Sequence, residues 1–126
     1  MKILVDGSLP QSLSDRPNAE GIVVHRVADT MDDAALVVYA SEHGYAAVVV
    51  SEREVIAQQR VRELARERSV ALVCSVTDDP EEVETNLRHA LRSLVDRTTA
   101  EPGGLFRVDR SGAHPTDWAL NTAGAR

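Results

Sequence analysis

Hydrophobic residues in this chain come in short bursts separated by longer stretches of mixed polarity. Lys2 to Val5, Ile22 to Val27, Ala46 to Val50 and Val70 to Val76 are brief and rich in valine and isoleucine. Runs of that length and composition read as strands, and the nearly unbroken apolar character of the last two predicts strands covered on both faces. Between them the spacing is helical. Asp29-Thr30 offers N-cap chemistry for a helix from about Met31 to His43, which Gly44 would close as a left-handed residue. From Glu52 to about Arg68, residues Ile56, Val61, Leu64 and Ala65 fall on one helical face with charged residues mostly elsewhere. Asp79-Pro80, with Glu82 placed for a capping box, starts a third helix carrying the stripe Val83, Leu87, Ala90, Leu91, Leu94 and Val95. The proline-interrupted segment from Gly7 to Asn18 leaves room for a short helix around Leu9 to Leu13 at most. Strands alternating with helices predict an α/β fold, a three-layer α/β/α sandwich around a mainly parallel sheet. No internal repeat is evident.

Two regions follow from this pattern, an α/β domain over residues 1–97 and a C-terminal extension over 98–126. The extension is rich in glycine and poor in aliphatics, the composition of a flexible tail. Within it, Leu105-Phe106-Arg107-Val108 would add an edge strand, and Trp118, the single tryptophan, would anchor the end by filling a groove. A groove on a second copy would give a tail-exchanging homodimer.

Composition narrows the function classes. At 126 residues, 43% hydrophobic and 27% charged, the chain suits one globular domain. A net charge of −6 argues against a protein that coats nucleic acid indiscriminately, since that mode needs an excess of Lys and Arg. Cys74 stands alone in an apolar run and reads as a buried core residue, so no internal disulfide forms and a cytoplasmic location is expected. Met1-Lys2 leads straight into a strand, and no run reaches the roughly 18 apolar residues of a membrane span, so neither a signal peptide nor membrane insertion is expected.

Candidate chemistry gathers on carboxylates. In an open α/β sheet, ligands bind beyond the carboxyl ends of the strands, which is where Asp6 terminates the first strand. The third strand runs from Val50 into Ser51-Glu52-Arg53-Glu54. If those strands are neighbours, Asp6, Glu52 and Glu54 converge, with Asp32 or Asp33 from the preceding helix as a further acid. Clustered carboxylates repel unless a cation compensates them. Oxygen ligands suit Mg²⁺ or Mn²⁺, which would activate water against a phosphodiester. Each acid also has an ordinary explanation as a turn former or first-turn helix residue. His25, His43, His89 and His114 show no zinc spacing and read as surface or capping groups, and Arg88, Arg92 and Arg97 suggest a basic stripe on the last helix.

The opening MKILVDGSLP resembles the D-E-N-L-P start of small PIN-like proteins related to VapC-type toxins. Asp33, Ala40 and Gly44 fall at the matching intervals of that family's next helix, and Val50-Ser51-Glu52-Arg53-Glu54-Val55 stands in place of its T-x-D-x-D-F motif. The helix from Asp79 to Val95 resembles the family's terminal helix, so the likeness spans roughly residues 1–97. It implies a PIN-like α/β/α fold and Mg²⁺- or Mn²⁺-dependent ribonuclease chemistry, with Asp6, Asp33, Glu52 and Glu54 as catalytic and metal-binding carboxylates. RNA would be the substrate and a cognate antitoxin or other protein a partner. Gly7 and Ser8 replace the motif's Glu and Asn, Val50 its Thr, two Glu its two Asp, and Val55 its Phe. The alternative is therefore a catalytically degenerate PIN-like protein serving as a protein-interaction or regulatory module. A receiver-like domain would need an Asp at the end of the third strand and a late Lys, whereas the only lysine here is Lys2.

Overall fold

Alternation along each apolar burst sorts its side chains between two cores, one on either face of a sheet. The computed structural model describes residues 1–6, 22–27, 32–50, 59–75 and 79–115. Strands β1 (Lys2–Val5), β2 (Val23–Arg26), β3 (Ala47–Val50), β4 (Ala71–Ser75), β5 (Leu105–Asp109) and β6 (Gly112–Pro115) form one sheet in the order β2-β1-β3-β4-β5-β6. The first five run parallel and β6 is antiparallel to β5. The described helices are α1 (Asp33–Glu42), α2 (Gln59–Glu67) and α3 (Pro80–Ala100).

Leu4, Val48, Val50, Leu72 and Cys74 meet Leu36, Val37 and Ala40 of α1 and Val61 and Ala65 of α2 on one face. Ile3, Val5, Ala47, Val49, Ala71, Val73, Phe106 and Val108 meet Val83, Leu87, Ala90, Leu91 and Leu94 of α3 on the other. This is the expected layering of a mainly parallel sheet with helices on both faces. Period-two alternation is thus present even in the strands that look uniformly apolar, because both faces are covered. Cys74 is wholly buried, as its sequence setting implies.

Two element boundaries differ from expectation. Helix α1 is capped by Asp32, whose Oδ1 accepts from the Ala35 amide at 2.8 Å, and Asp29-Thr30 lie outside the described residues. Helix α2 is described over Gln59–Glu67, and its expected start at Glu52 lies outside the described residues. Helix α3 begins at the expected Asp79-Pro80 cap, with Asp79 accepting from the Glu81 amide at 2.9 Å, but runs on to Ala100. Thr98 is carried within the helix because its hydroxyl, buried from water, donates to the Leu94 carbonyl at 2.8 Å.

The extension from residue 98 is no separate appendage as far as Pro115. β5 lies inside the sheet, between β4 and β6, and the edge belongs to β6. Phe106 and Ala113 are fully buried and Val108 nearly so, which fixes the hairpin on the α3 core. The link from α3 to β5 passes close to α2. Gly103 has φ +77°, and a Cβ there would meet Arg66 Cα at 3.0 Å. Gly44 also has a positive φ, +78°, as a helix-closing glycine should, but faces open space. At the sheet edge, Ser93 Oγ accepts from the Ala113 amide (3.1 Å) and donates to the Ala113 carbonyl (3.2 Å), which also takes Arg97 Nε at 3.2 Å.

The turn joining β5 to β6 is tied by Asp109, whose Oδ1 accepts from the Ser111 hydroxyl at 2.6 Å and the Ser111 amide at 2.8 Å. These bonds, the hydroxyl's first, hold the Asp109 pKa below its ordinary 3.8. A depressed folded-state pKa contributes stability above 3.8 that disappears as pH falls through the lower folded value. Urea unfolding of the wild type and Asp109→Asn, compared from about pH 5 down to about pH 2, will show a stability gap that narrows at the acid end. Because Asp109 is partly exposed, the gap is small.

Candidate functional site at the carboxyl rim

The strand order places a switch point between β1 and β3, since the chain leaves β1 for β2 on one side and returns to β3 on the other. The condition for bringing the first and third strand ends together is met. β1 and β3 pair directly, Val5 against Val49. The Asp6 amide prolongs that ladder by donating to the Val49 carbonyl at 2.9 Å, and Val27 donates to the Val5 carbonyl at 3.0 Å on the other side. Asp6 therefore stands, half-buried, at the carboxyl rim between two neighbours.

Helix α1 begins at this same rim, because a helix joining parallel strands runs opposite to them. Lys2, which opens β1 at the far rim, accordingly donates from Nζ to the carbonyl of His43, the C-cap of α1, at 2.8 Å. Asp32 and Asp33 thus share the carboxyl rim with Asp6. Asp32 is committed to its own helix as the cap. Asp32→Ala should cost about 1 kcal/mol, read as a lower urea midpoint at unchanged slope. Asp33 occupies the first turn of α1, where its charge favours the helix dipole. Glu52 and Glu54 lie outside the described residues, as does Trp118. Among the described residues no group of three or more His, Cys, Asp or Glu side chains has metal-holding geometry. Val50 is buried in the α1–α2 core.

Two polar clusters were not foreseen from the sequence. At the amino rim, His25 Nδ1 and Tyr45 Oη share a hydrogen bond of 2.6 Å, Tyr39 stacks on His43 at 4.0 Å, and Lys2 Nζ lies 4.5 Å from the Tyr45 ring centre. Partial burial, then the neighbouring Tyr39, pushes the Tyr45 phenol up. These residues come from β1, β2, α1 and the loop before β3, and only the i, i+4 spacing of Tyr39 and His43 hinted at a contact. They pin the C-terminus of α1 to the sheet.

The second cluster is Asp109, Ser111 and His114. His114 Nε2 faces both Ser111 Oγ (2.8 Å) and Asp109 Oδ1 (3.2 Å), and Ser111 donates to Asp109 directly. A hydrolytic relay divides its two imidazole nitrogens between hydroxyl and carboxylate. Here one nitrogen meets both groups, so the cluster closes a turn.

Comparison with family models, curated proteins and solved structures finds no match to this chain. Among the described residues no helix is long and apolar enough to cross a membrane.

Proposed function

We propose that this protein is a PIN-like domain whose carboxyl rim holds Mg²⁺ or Mn²⁺ and hydrolyses RNA. The observation that carries this reading is the position of Asp6, at the carboxyl end of β1 directly beside β3, the strand that leads into Glu52 and Glu54. Asp33 begins its helix on the same rim. A divalent ion there would neutralise the carboxylates, lower the pKa of a bound water and stabilise charge developing on the phosphodiester. Asp6 would be a direct ligand, with Asp33, Glu52 and Glu54 completing the set.

Thermal unfolding with Mn²⁺ tests binding, and cleavage of labelled RNA tests the chemistry. Mn²⁺ at about one hundred times its dissociation constant would stabilise the wild type by about 2.7 kcal/mol. Asp6→Asn would lose both that stabilisation and the cleavage. An unchanged melting temperature with millimolar Mn²⁺ would favour the second reading, a degenerate PIN-like module that binds a protein partner such as an antitoxin or a second copy of itself. The specific observation on that side is Val50, which puts a buried aliphatic group where the motif supplies a hydroxyl.

A further inference from the structure

On the outer side of α3, away from the residues it gives to the core, His89, Arg92, Ser93, Asp96, Arg97 and Ala100 line a groove of about 510 Å³. The groove is open to solvent and, among the described residues, lined by α3 alone, so a ligand would lie along the helix rather than be enclosed. The lining is of mixed character, polar groups set among apolar surface. It offers two guanidinium groups, an imidazole, a hydroxyl and one carboxylate, with the small Ala100 leaving space. The expected stripe of Arg88, Arg92 and Arg97 is thereby resolved into two parts. Arg88 pairs with Glu84 at 3.1 Å on its own helix, whereas Arg92 and Arg97 turn to the groove.

We propose that this groove binds a ribonucleotide unit. Arg97 is held in place by its Nε bond to the Ala113 carbonyl, which leaves its two terminal nitrogens for a phosphate. Ser93 is fixed by the same residue of β6. Arg92 supplies the second positive charge. A bare anion would be served by cations alone, but Asp96 shares the groove with Arg92 and Arg97. A carboxylate is an acceptor without a donor, so it repels phosphate and welcomes a hydroxyl; the 2′-OH of ribose is the hydroxyl that a phosphate-bearing sugar brings with it. His89 and the Arg92 guanidinium provide flat faces against which an unpaired base stacks. The groove thus separates ribose from deoxyribose at Asp96 while holding the backbone through arginine. This site lies on α3 and does not depend on a metal at the carboxyl rim, although RNA as ligand agrees with the function proposed above.

The test is fluorescence anisotropy in EDTA, with labelled oligouridine, the matching deoxyribonucleotide oligomer, and unlabelled uridine monophosphate as competitor. The wild type should prefer the ribo-oligomer by about tenfold. Arg92→Glu should weaken both oligomers about tenfold and shallow the salt dependence by about one unit of slope. Asp96→Ala should bring the two oligomers within about twofold of each other. Arg66→Glu, the same charge change on an exposed residue of α2, should leave both affinities within about twofold. Competition by the monophosphate at the oligomer's own affinity would assign a free nucleotide as ligand, and weaker competition a unit within a chain. Absence of binding, equal affinity for the ribo- and deoxyribo-oligomers, a preference that survives Asp96→Ala, or equal losses in Arg66→Glu and Arg92→Glu would each overturn the proposal. Because no metal is present, a protein that binds through the groove but never cleaves with Mn²⁺ would retain this site and lose the nuclease reading. Cleavage with Mn²⁺ by a protein that shows no binding through the groove in EDTA would do the reverse.

Discussion

Truncating Phe106 to alanine should lower the unfolding free energy by about 3–5 kcal/mol. Among the described residues Phe106 heads the fully buried side chains by volume, and it sits in β5, in the cluster that joins α3 to the sheet. Its removal forfeits the transfer of an aromatic ring from water and leaves a cavity between elements that cannot close freely, since α3 is tied to β6 through Ser93 and Arg97. Urea unfolding would show the midpoint falling at nearly constant slope, and Phe106→Leu would lose less because it keeps most of the volume. A loss below about 1 kcal/mol for the alanine variant would mean that residues 105–115 rest on the domain rather than belonging to its core.

Gly103→Ala ranks next, at about 1–3 kcal/mol from backbone strain alone. The positive φ disfavours any side chain, and the added methyl would press on the backbone of Arg66, which cannot swing aside as a flexible side chain would. Gly44→Ala supplies the internal control, since its φ is nearly the same but a Cβ there meets nothing within 4 Å. The difference between the two variants measures the close approach of the α3–β5 link to α2. Equal losses would show that approach to be without energetic consequence.

The parts of the fold legible in the sequence are those fixed by local chemistry. Ile3-Leu4-Val5, Ala47 to Val50 and Ala71 to Cys74 are too short and too β-branched for helices, and Asp79-Pro80 and Gly44 carry their cap geometry in their covalent structure. What escaped depends on tertiary partners. Asp32 rather than Asp29-Thr30 caps α1, because only the geometry of the first turn decides which carboxylate reaches the Ala35 amide. Thr98 reads as a weak helix former until its hydroxyl finds Leu94. The 105–115 hairpin offers few apolar residues, and its glycines suggest a loose tail until Phe106 and Ala113 are seen against α3. At the candidate site, the placement of Asp6 beside β3 was legible because strand ends in α/β sheets obey a general rule. The groove on α3 was visible only as a suspected run of arginines, since the sequence does not say which of them turn toward neighbours on the same helix.

The pair of side chains that α3 lends to Ala113 has a consequence for self-association. An outermost strand normally offers a row of bare amides and carbonyls to any extended peptide that drifts alongside. On β6 both main-chain groups of Ala113 are already occupied by Ser93 and Arg97, so an incoming strand would have to evict them before zipping on. The molecule therefore carries, on this border, its own guard against polymerising into longer ribbons.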